Sequence, residues 1–307
     1  MDTFRSYLVP LLIVLLLGIH GSVSAQAGSS GMAFLKLGPS ARGMAMGDAA
    51  AGWMSGAEAT FYNPAGIFPE DGTSQLMLVH REWIQDTRME HLAAALPIGD
   101  ATAFGLSVSA LSVSDIEVRT RPGPAEATFT ARNLLIGASY AQQFSENLRF
   151  GGTVKYLYEK ILVDEAAGIA VDVGAQWDLS SPDISVGATL ANLGSMGRLR
   201  DERTSLPAYL RFGTASRFDI KDLHSVARVA ADLQYLFPDS RAYVNIGGEF
   251  SYDDALAVRS GYQFGSGARG YAGGIGIRYG IVQIDYAYAP LSYDLGDAHT
   301  IGVLLRF

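Results

Sequence analysis

The stretch ARVAADLQY, residues 227–235, alternates between apolar and polar side chains. Its odd-numbered positions carry alanine, valine, leucine and tyrosine, whereas the even-numbered positions include Arg228, Asp232 and Gln234. A period of two residues is typical of a β-strand whose two faces meet different surroundings. The same pattern recurs at 169–177, 244–252 and 282–288. The sequence therefore predicts an all-β fold.

The length and charge of these runs favour a transmembrane β-barrel over a soluble β-sandwich. Sandwich strands usually have about 5–6 residues, whereas these runs reach about 9–12, the length that a tilted membrane strand needs. A dry sandwich core could not hold the many charges that share one face, and closure into a barrel satisfies the strand backbones in lipid. The predicted lumen charges are Asp172, Arg211, Arg228, Asp232, Glu249, Arg259, Arg278 and Asp285.

Turn signals divide the chain from residue 74 onward into about fourteen antiparallel strands, an even number as in bacterial barrels. Aromatic side chains collect near the ends of the apolar faces, as in an interfacial girdle: Tyr252, Tyr262, Phe264, Tyr271, Tyr279 and Tyr288. The predicted strands are 74–84, 88–97, 101–113, 131–144, 147–161, 166–179, 183–193, 207–217, 226–237, 242–253, 255–265, 270–280, 281–291 and 298–307. The third and fourth are the least regular, because the alternation fades after Leu111.

The first 25 residues have the features of a secretory signal peptide. Arg5 precedes an apolar stretch at 8–19, and small residues end at Ala25, although cleavage after Ala27 fits nearly as well. The chain has no cysteine, so no disulfide can stabilise it after export. A net charge of −8 gives no basic surface for nucleic acid. The final strand closes on Phe307 and resembles the last strand of bacterial outer-membrane proteins, so we expect the protein in the bacterial outer membrane, in contact with its lipid.

Residues 26–73 do not alternate and are rich in glycine, alanine and methionine. We call this segment the hatch, and we expect it to fold inside the barrel as a plug; the alternative is a flexible periplasmic tail. Asn63 and Pro64 predict a helix start, with the asparagine as cap and the proline in the first helical position. Arg42 and Asp48 are candidates to pair with the lumen charges. The predicted segments are thus the signal at 1–25, the hatch at 26–73 and the barrel at 74–307.

The hatch sequence resembles a known family. AFLKLGPSARGMAMGDAAAG at 33–52 and EATFYNPAG at 58–66 are similar to the N-terminal signature of the PorV/PorQ proteins, members of the FadL-like outer-membrane group. Tyr62 stands where many relatives have tryptophan, and the loops are shorter than in the secretion or fatty-acid branches. The resemblance implies a fourteen-stranded barrel with a lumenal hatch, and it carries over to Arg42, Gly43, Met46, Gly47, Asn63, Pro64, Ala65 and Gly66.

Three functions follow from this resemblance. In the first, which we favour from the hatch signature, the barrel is a non-enzymatic component of type IX protein secretion that holds secreted cargo or a surface partner. In the second, it is a FadL-like channel for long-chain fatty acids or other hydrophobic small molecules, with the hatch gating a lateral exit. In the third, it is a structural barrel without a transported ligand. An apolar pocket running from the outer mouth to a gap in the wall would favour the second function, whereas a charge-tight lumen with no such path would favour the first or the third.

The sequence carries no pattern that predicts an enzyme or a cofactor site. No G-x-S-x-G motif is present, so a serine hydrolase is unsupported, and we assign no catalytic residue, cofactor or metal ligand. His80 and His91 would face each other if the first hairpin turns at 85–86, with Glu82 on the same face. Such a pair is either a metal or proton-sensing site or ordinary polar lining of the barrel rim.

Overall fold

The computed structural model describes residues 30–84, 86–180 and 183–307. The predicted signal peptide and the first residues of the predicted hatch lie outside these ranges. Within them, no helix is long and apolar enough to cross a membrane.

Fourteen antiparallel strands close into one barrel, which confirms the predicted fold class. Each strand pairs with its neighbours in the chain, except that β7 pairs with β10 across a short hairpin formed by β8 and β9. The strands are β1 (Gln75–Glu82), β2 (Thr87–Ile98), β3 (Thr102–Val118), β4 (Ala127–Ser145), β5 (Leu148–Ile161), β6 (Asp164–Ser180), β7 (Asp183–Met196), β8 (Arg198–Leu199), β9 (Glu202–Arg203), β10 (Tyr209–Ile220), β11 (Ser225–Leu236), β12 (Arg241–Tyr252), β13 (Leu256–Phe264), β14 (Tyr271–Tyr279), β15 (Val282–Pro290) and β16 (Asp297–Arg306).

The third and fourth strands extend further than the alternation predicts. The ladder between β3 and β4 is interrupted by a bulge between Val113 and Ile116 and then resumes to Val118. Asp115, inside the bulge, adopts a left-handed φ of 56°. Beyond this bulge, side chains of both strands are exposed or half-buried on both faces. With no apolar face to bury, this part of the ladder needs no alternating sequence.

The barrel closes between its first and last strands. Gln75 pairs with Arg306 at one end of this ladder and Glu82 with His299 at the other. Ser74 and Phe307 then exchange two backbone hydrogen bonds of 2.9 Å. The ladder is continuous, so β1 and β16 leave no open edge. A sheet in lipid could not tolerate an open edge, because its backbone groups would lack hydrogen-bond partners.

The two ends of the barrel differ. We call the end with Ser74 and Phe307 the lower end and the opposite end the upper end. Tight turns such as 99–101 and 253–255 connect strands at the lower end, whereas the longest connections, at 119–126 and 197–208, lie at the upper end. In outer-membrane barrels the short turns face the periplasm, so we expect the lower end to be periplasmic.

The outer face of the barrel is an apolar belt. Leu106, Ile136 and Val258 are exposed by 57%, 47% and 62%, as suits side chains that meet lipid rather than a protein core. Tyr262 and Phe264 at the upper end and Tyr279 at the lower end also point outward. These outward rings lie at two levels near the ends of the strands, as in an interfacial girdle.

Residues 30–73 of the hatch run through the lumen from the upper to the lower end. Near its start, the Gly31 N–H donates to the Ser205 carbonyl in the upper loop at 3.0 Å. The segment then forms short helices at Ala41–Ala45 and Ala59–Tyr62 and 3₁₀ turns at Ala33–Lys36, Gly56–Glu58 and Pro64–Gly66. These pieces contact strands β1–β6 and β13–β16, and nearly every residue from 32 to 67 is buried or half-buried. The described part of the hatch is therefore a plug inside the barrel.

Candidate functional site

An ion pair joins the first helix of the hatch to the barrel wall. The Ser40 hydroxyl accepts a hydrogen bond of 3.1 Å from the Gly43 N–H and so caps the helix Ala41–Ala45. The cap orients Arg42 toward β12, where its Nε and Nη2 each donate to one carboxylate oxygen of Glu249 at 2.7 Å. This two-pronged geometry is the strongest form of a guanidinium–carboxylate contact.

Glu249 is the centre of a larger group of charges, which we call the ion-pair cluster: Arg42, Arg228, Glu249, Arg259 and Asp285. Arg228 and Arg259 donate to Glu249 at 3.0 and 2.6 Å, and Arg259 also donates to Asp285 at 2.6 Å. Trp53 of the hatch lies beside Arg42 and Arg228, with each guanidinium carbon 4.6 Å from its ring centre. The cluster therefore ties the hatch to strands β11, β12, β13 and β15.

A second buried carboxylate, that of Asp48, links the hatch to itself and to the wall. Its Oδ2 contacts the Arg269 Nη2 at 2.6 Å, and its Oδ1 accepts from the Tyr62 hydroxyl at 2.9 Å. Burial alone would raise the pKa of Asp48, but Arg269, Arg81 and Arg211 outweigh burial and lower that pKa below its usual value. Asp48 is therefore ionised at neutral pH, although its residue is only 1% exposed.

Asp232 and Arg211 hold the middle of the hatch through its backbone. The Asp232 Oδ2 accepts from the N–H groups of Ala50 and Ala51 at 2.9 and 3.0 Å. The Arg211 Nη1 donates to the Asp48 carbonyl at 3.2 Å and lies 3.8 Å from Asp232. Two wall charges thus satisfy polar backbone groups of the hatch that would otherwise be buried without partners.

The Asn-Pro turn lies deep in the lumen against β5 and β6. Asn63 caps the 3₁₀ turn Pro64–Gly66 by accepting from the Ala65 N–H at 3.1 Å, so the predicted helix start is present. Its Nδ2 donates to the Ala51 carbonyl of the hatch at 2.9 Å and to the Ala175 carbonyl of β6 at 3.0 Å. One fully buried side chain therefore connects the turn, the hatch and the wall.

We expect Asn63→Ala to destabilise the hatch by about 3 kcal/mol, because three hydrogen bonds to buried backbone groups are lost together. The protein should become cleavable by trypsin within residues 30–73 while its barrel keeps its heat-modifiable mobility on gels. Asn133→Ala, on the inner face of β4 and only half-buried, is the control. Equal cleavage of the two variants would contradict this role of Asn63.

Glycines let the hatch backbone touch the wall. A Cβ on Gly247 of β12 would lie 2.3 Å from the Met46 carbonyl oxygen, and one on Gly261 of β13 would lie 2.2 Å from the Gly47 nitrogen. Within the hatch, a Cβ on Gly43 would meet the Tyr62 hydroxyl at 2.2 Å, and Gly47 has a left-handed φ of 65°. A side chain at Gly247 or Gly261 would push hatch and wall apart, and one at Gly43 would displace Tyr62 within the hatch.

The other predicted lumen charges lie apart from the ion-pair cluster. Asp172 is 1% exposed; its Oδ2 contacts the Lys155 Nζ at 2.5 Å, and its Oδ1 accepts from the Asn192 N–H at 2.7 Å in a bulge of β7. Arg278 points inward only at the lower rim, where its side chain is 30% exposed and pairs with Asp254. The predicted charges thus form several separate groups rather than one continuous site.

The expected approach of His80 and His91 is wrong. His80 pairs across strands with Glu90, and His91 pairs with Val79, so the two histidines point to opposite faces of the wall. His80 lies outside, with its Nδ1 2.6 Å from the Glu90 carboxylate. His91 lies inside, where its Nδ1 contacts the Ser109 hydroxyl at 2.7 Å. The observed hairpin pairs its strands one residue away from the predicted register, so His80 lies opposite Glu90 instead of His91 and the two histidines point to different faces.

One side of the upper lumen, along β2 and β4–β7, is apolar, unlike the ionic lower lumen. Met32, Phe34 and Leu35 of the hatch pack there against wall side chains of β2 and β4–β7 and against the loop residue Leu206. We call this group the upper apolar cluster: Met32, Phe34, Leu35, Met89, Leu135, Leu157, Ala166, Ala170, Met196 and Leu206. Methionine side chains adapt to differently shaped apolar partners, so this region suits a hydrophobic ligand better than a hydrated one.

Several cavities are lined by the described residues, and a charged one at the lower end and an apolar one in the wall bear on a route for a ligand. A cavity of about 450 Å³ at the lower end is lined by charged side chains, among them Arg42, Glu70, Arg217 and Arg306. A groove of about 380 Å³ lies in the wall formed by β16, β1, β2 and β3 and is mostly apolar. Its lining includes outward residues such as Leu92 and also the inward residue His91. Unbroken ladders between β16 and β1, β1 and β2, and β2 and β3 run behind this groove, so it lies on the lipid face of the wall.

Several residues that hold the hatch were not among the predicted site residues. Glu58, in the hatch, contacts Ser40 by a short hydrogen bond and lies 3.5 Å from Arg42. Arg81 of β1 donates to the Gly38 carbonyl at 2.6 Å, and Arg269 follows β13 in an upper loop. Arg81 could have been found, because it occupies a charged inward position in an alternating strand. Arg269 lies in a loop, where alternation gives no signal.

No family model matches the chain, and no curated protein matches it. Solved structures do. The chain is similar to the toluene transporter TbuX of Ralstonia pickettii, with 15% identity, a TM-score of 0.63 and coverage of 88% of this chain and 98% of that one. The toluene transporter TodX of Pseudomonas putida has 14% identity and a TM-score of 0.62, with coverage of 88% of this chain and 99% of that one. A Pseudomonas aeruginosa FadL homologue has 12% identity and a TM-score of 0.53, with coverage of 87% of this chain and 96% of that one. These similarities show that the chain shares the FadL-like barrel fold.

Proposed function

We propose that this protein is an outer-membrane channel that admits small hydrophobic molecules. The upper apolar cluster carries the proposal, since it places a methionine-rich apolar region inside the mouth of a barrel. A channel for hydrophilic solutes would instead have a polar, water-filled lumen. The similarity to barrels described as toluene transporters adds support, because their fold is shared over most of both chains.

The geometry suggests a route for such molecules. A ligand would enter at the upper end and replace the side chains of the hatch in the upper apolar cluster. The ionic lower lumen, closed by the ion-pair cluster, disfavours its passage straight through, because burying a charge against an apolar molecule is costly. The apolar groove on the lipid face marks a place for an exit beside β1 and β2, which would require these paired strands to separate. The proposed activity is transport and includes no catalytic step.

The secretion function, predicted from the hatch motif, stays a prediction. It needs a surface that holds cargo or a secretion subunit, and the described connections at the upper end are short, the longest being 197–208. Purification from the native membrane separates the two functions: secretion subunits in the eluate would support the first, and bound hydrophobic molecules the second.

The proposal is tested by uptake of toluene into cells whose own hydrocarbon channels are deleted. Expression of the protein should raise the uptake rate several-fold, and Ala166→Phe should remove most of the gain by filling the upper apolar cluster. Ala167→Phe is the matched control, because its side chain points outward. Both variants must reach the outer membrane in equal amounts. Uptake that is the same with and without the protein would refute the proposal.

A further inference from the structure

Glu159 of β5 places a carboxylate at the edge of the upper apolar cluster. The residue is 7% exposed and faces the lumen, on the same side of its strand as Leu157. Its cross-strand neighbours are Ala166 of β6 and Asn133 of β4. Leu157 and Ala166 both belong to the cluster, so the carboxylate borders the apolar region directly.

This carboxylate has no partner among the residues that the structure describes. No hydrogen bond or ion pair joins it to another described side chain or to the described backbone. All other inward carboxylates discussed above are paired: Asp48, Asp172, Asp232, Glu249 and Asp285. A carboxylate in a largely buried residue loses part of its hydration, and because no protein group pairs with it, it is free to accept a hydrogen bond from a ligand at the edge of the cluster.

We propose that Glu159 accepts a hydrogen bond from the transported molecule and so selects small hydrophobic molecules that carry a hydroxyl group. This inference rests on the proposed function and deepens it. Phenols and alcohols would be preferred to hydrocarbons of the same shape, because only they can donate to the carboxylate. Hydrophobic carboxylates would be rejected, because a second negative charge beside Glu159 is repelled.

The hatch supplies Met32, Phe34 and Leu35 to the apolar cluster that Glu159 borders, and the aromatic ring of Phe34 shows that a group of that kind fits the cluster. The turn that carries them is fixed by few polar contacts: the Gly31 bond to Ser205 precedes it, and Lys36 forms an ion pair of 2.6 Å with Asp239 after it. A ligand ring can therefore replace the Phe34 ring without breaking the ion-pair cluster lower in the lumen.

The test compares toluene, p-cresol and p-toluate, which differ in one substituent, by calorimetric titration of the full chain in lipid nanodiscs. In the unmodified protein p-cresol should bind about tenfold more tightly than toluene, the effect of one hydrogen bond to a charged acceptor. Glu159→Leu should abolish this preference. Glu159→Gln, which keeps the side-chain volume, should reduce it and should tighten p-toluate. Glu165→Gln, an exposed position bonded to Tyr158, is the control and should change nothing.

The outcomes separate this inference from the proposed function. Equal affinity for toluene and p-cresol in the unmodified protein, unchanged in Glu159→Gln, overturns the role of Glu159 and leaves a hydrocarbon channel in place. No binding of either molecule overturns both the inference and the proposed function. If Glu159→Leu does not fold, the comparison of p-cresol with p-toluate in Glu159→Gln still decides the matter.

Discussion

Glu249→Gln should destabilise the protein by about 3–5 kcal/mol, because it leaves buried guanidinium groups without their common counter-charge. Arg42, Arg228 and Arg259 all donate to Glu249. Arg259 keeps the buried carboxylate of Asp285 and Arg42 lies 3.5 Å from that of Glu58, whereas Arg228 keeps only the exposed Glu70. Glutamine fills the same volume and still accepts a hydrogen bond, but it cannot balance the charge. The hatch should therefore separate from β12 before the barrel unfolds.

Three measurements can detect the separation of the hatch from β12 in Glu249→Gln. Urea titration of the barrel in lipid vesicles gives the free energy of unfolding, limited trypsinolysis reports access to residues 30–73, and planar-bilayer recordings report the open pore. Glu82→Gln is the control, because Glu82 has a side chain that is 61% exposed on the outer face. It should change stability by less than about 0.5 kcal/mol, as exposed substitutions usually do. A closed, protease-resistant Glu249→Gln protein would show that the ion-pair cluster does not hold the hatch.

The contribution of the hatch itself can be separated from that of the wall. Arg42→Ala removes only the hatch member of the cluster, and Glu249 then keeps Arg228 and Arg259 as partners. Arg42→Ala should therefore lower the free energy of unfolding by less than Glu249→Gln does. In the double variant the two effects should not add, because Arg42 and Glu249 are in direct contact.

Alternation was sufficient to predict the barrel, because a membrane strand must show an apolar face to lipid at every second residue. It was not sufficient for the ends of β3 and β4, since a ladder that is solvated on both faces needs no pattern. Histidines 80 and 91 illustrate a further limit: a shift of one residue in a hairpin moves every side chain to the opposite face, and turn residues alone did not fix that register.

The site was less predictable than the fold. The inward position of Glu249 follows from alternation, but its partner Arg42 lies 207 residues away in the sequence, and no local pattern specifies such a contact. Glu159 shares an alternating face with Lys155 and Leu157, so its inward position was within reach of the same argument. The absence of a partner for the Glu159 carboxylate could not be predicted in this way, because it depends on which hatch residues lie beside that carboxylate. Packing between hatch and wall is likewise invisible in sequence, since a glycine in a strand does not reveal which backbone approaches it.

Gly151→Val should displace the hatch by steric exclusion. A Cβ at Gly151 of β5 would lie 2.4 Å from the carbonyl carbon and oxygen of Pro64 and 2.6 Å from the Ala65 nitrogen. These are backbone atoms of the Asn-Pro turn, so no side-chain rotation can relieve the overlap. The turn must move away from β5, and the hydrogen bonds of Asn63 to Ala51 and Ala175 are then lost as well.

The neighbouring glycine provides a matched control. A Cβ at Gly152 would point to the outer face, where the nearest atom is the Asp172 carbonyl oxygen at 3.5 Å. Valine suits a strand and suits lipid, so Gly152→Val should fold and stay closed. Gly151→Val should also form a barrel, because the clash concerns only the hatch, but its pore should conduct in planar bilayers and residues 30–73 should be open to trypsin. Identical conductance of the two variants would mean that the hatch does not depend on close contact between the Asn-Pro turn and β5, because the same strand, the same residue type and adjacent positions are compared.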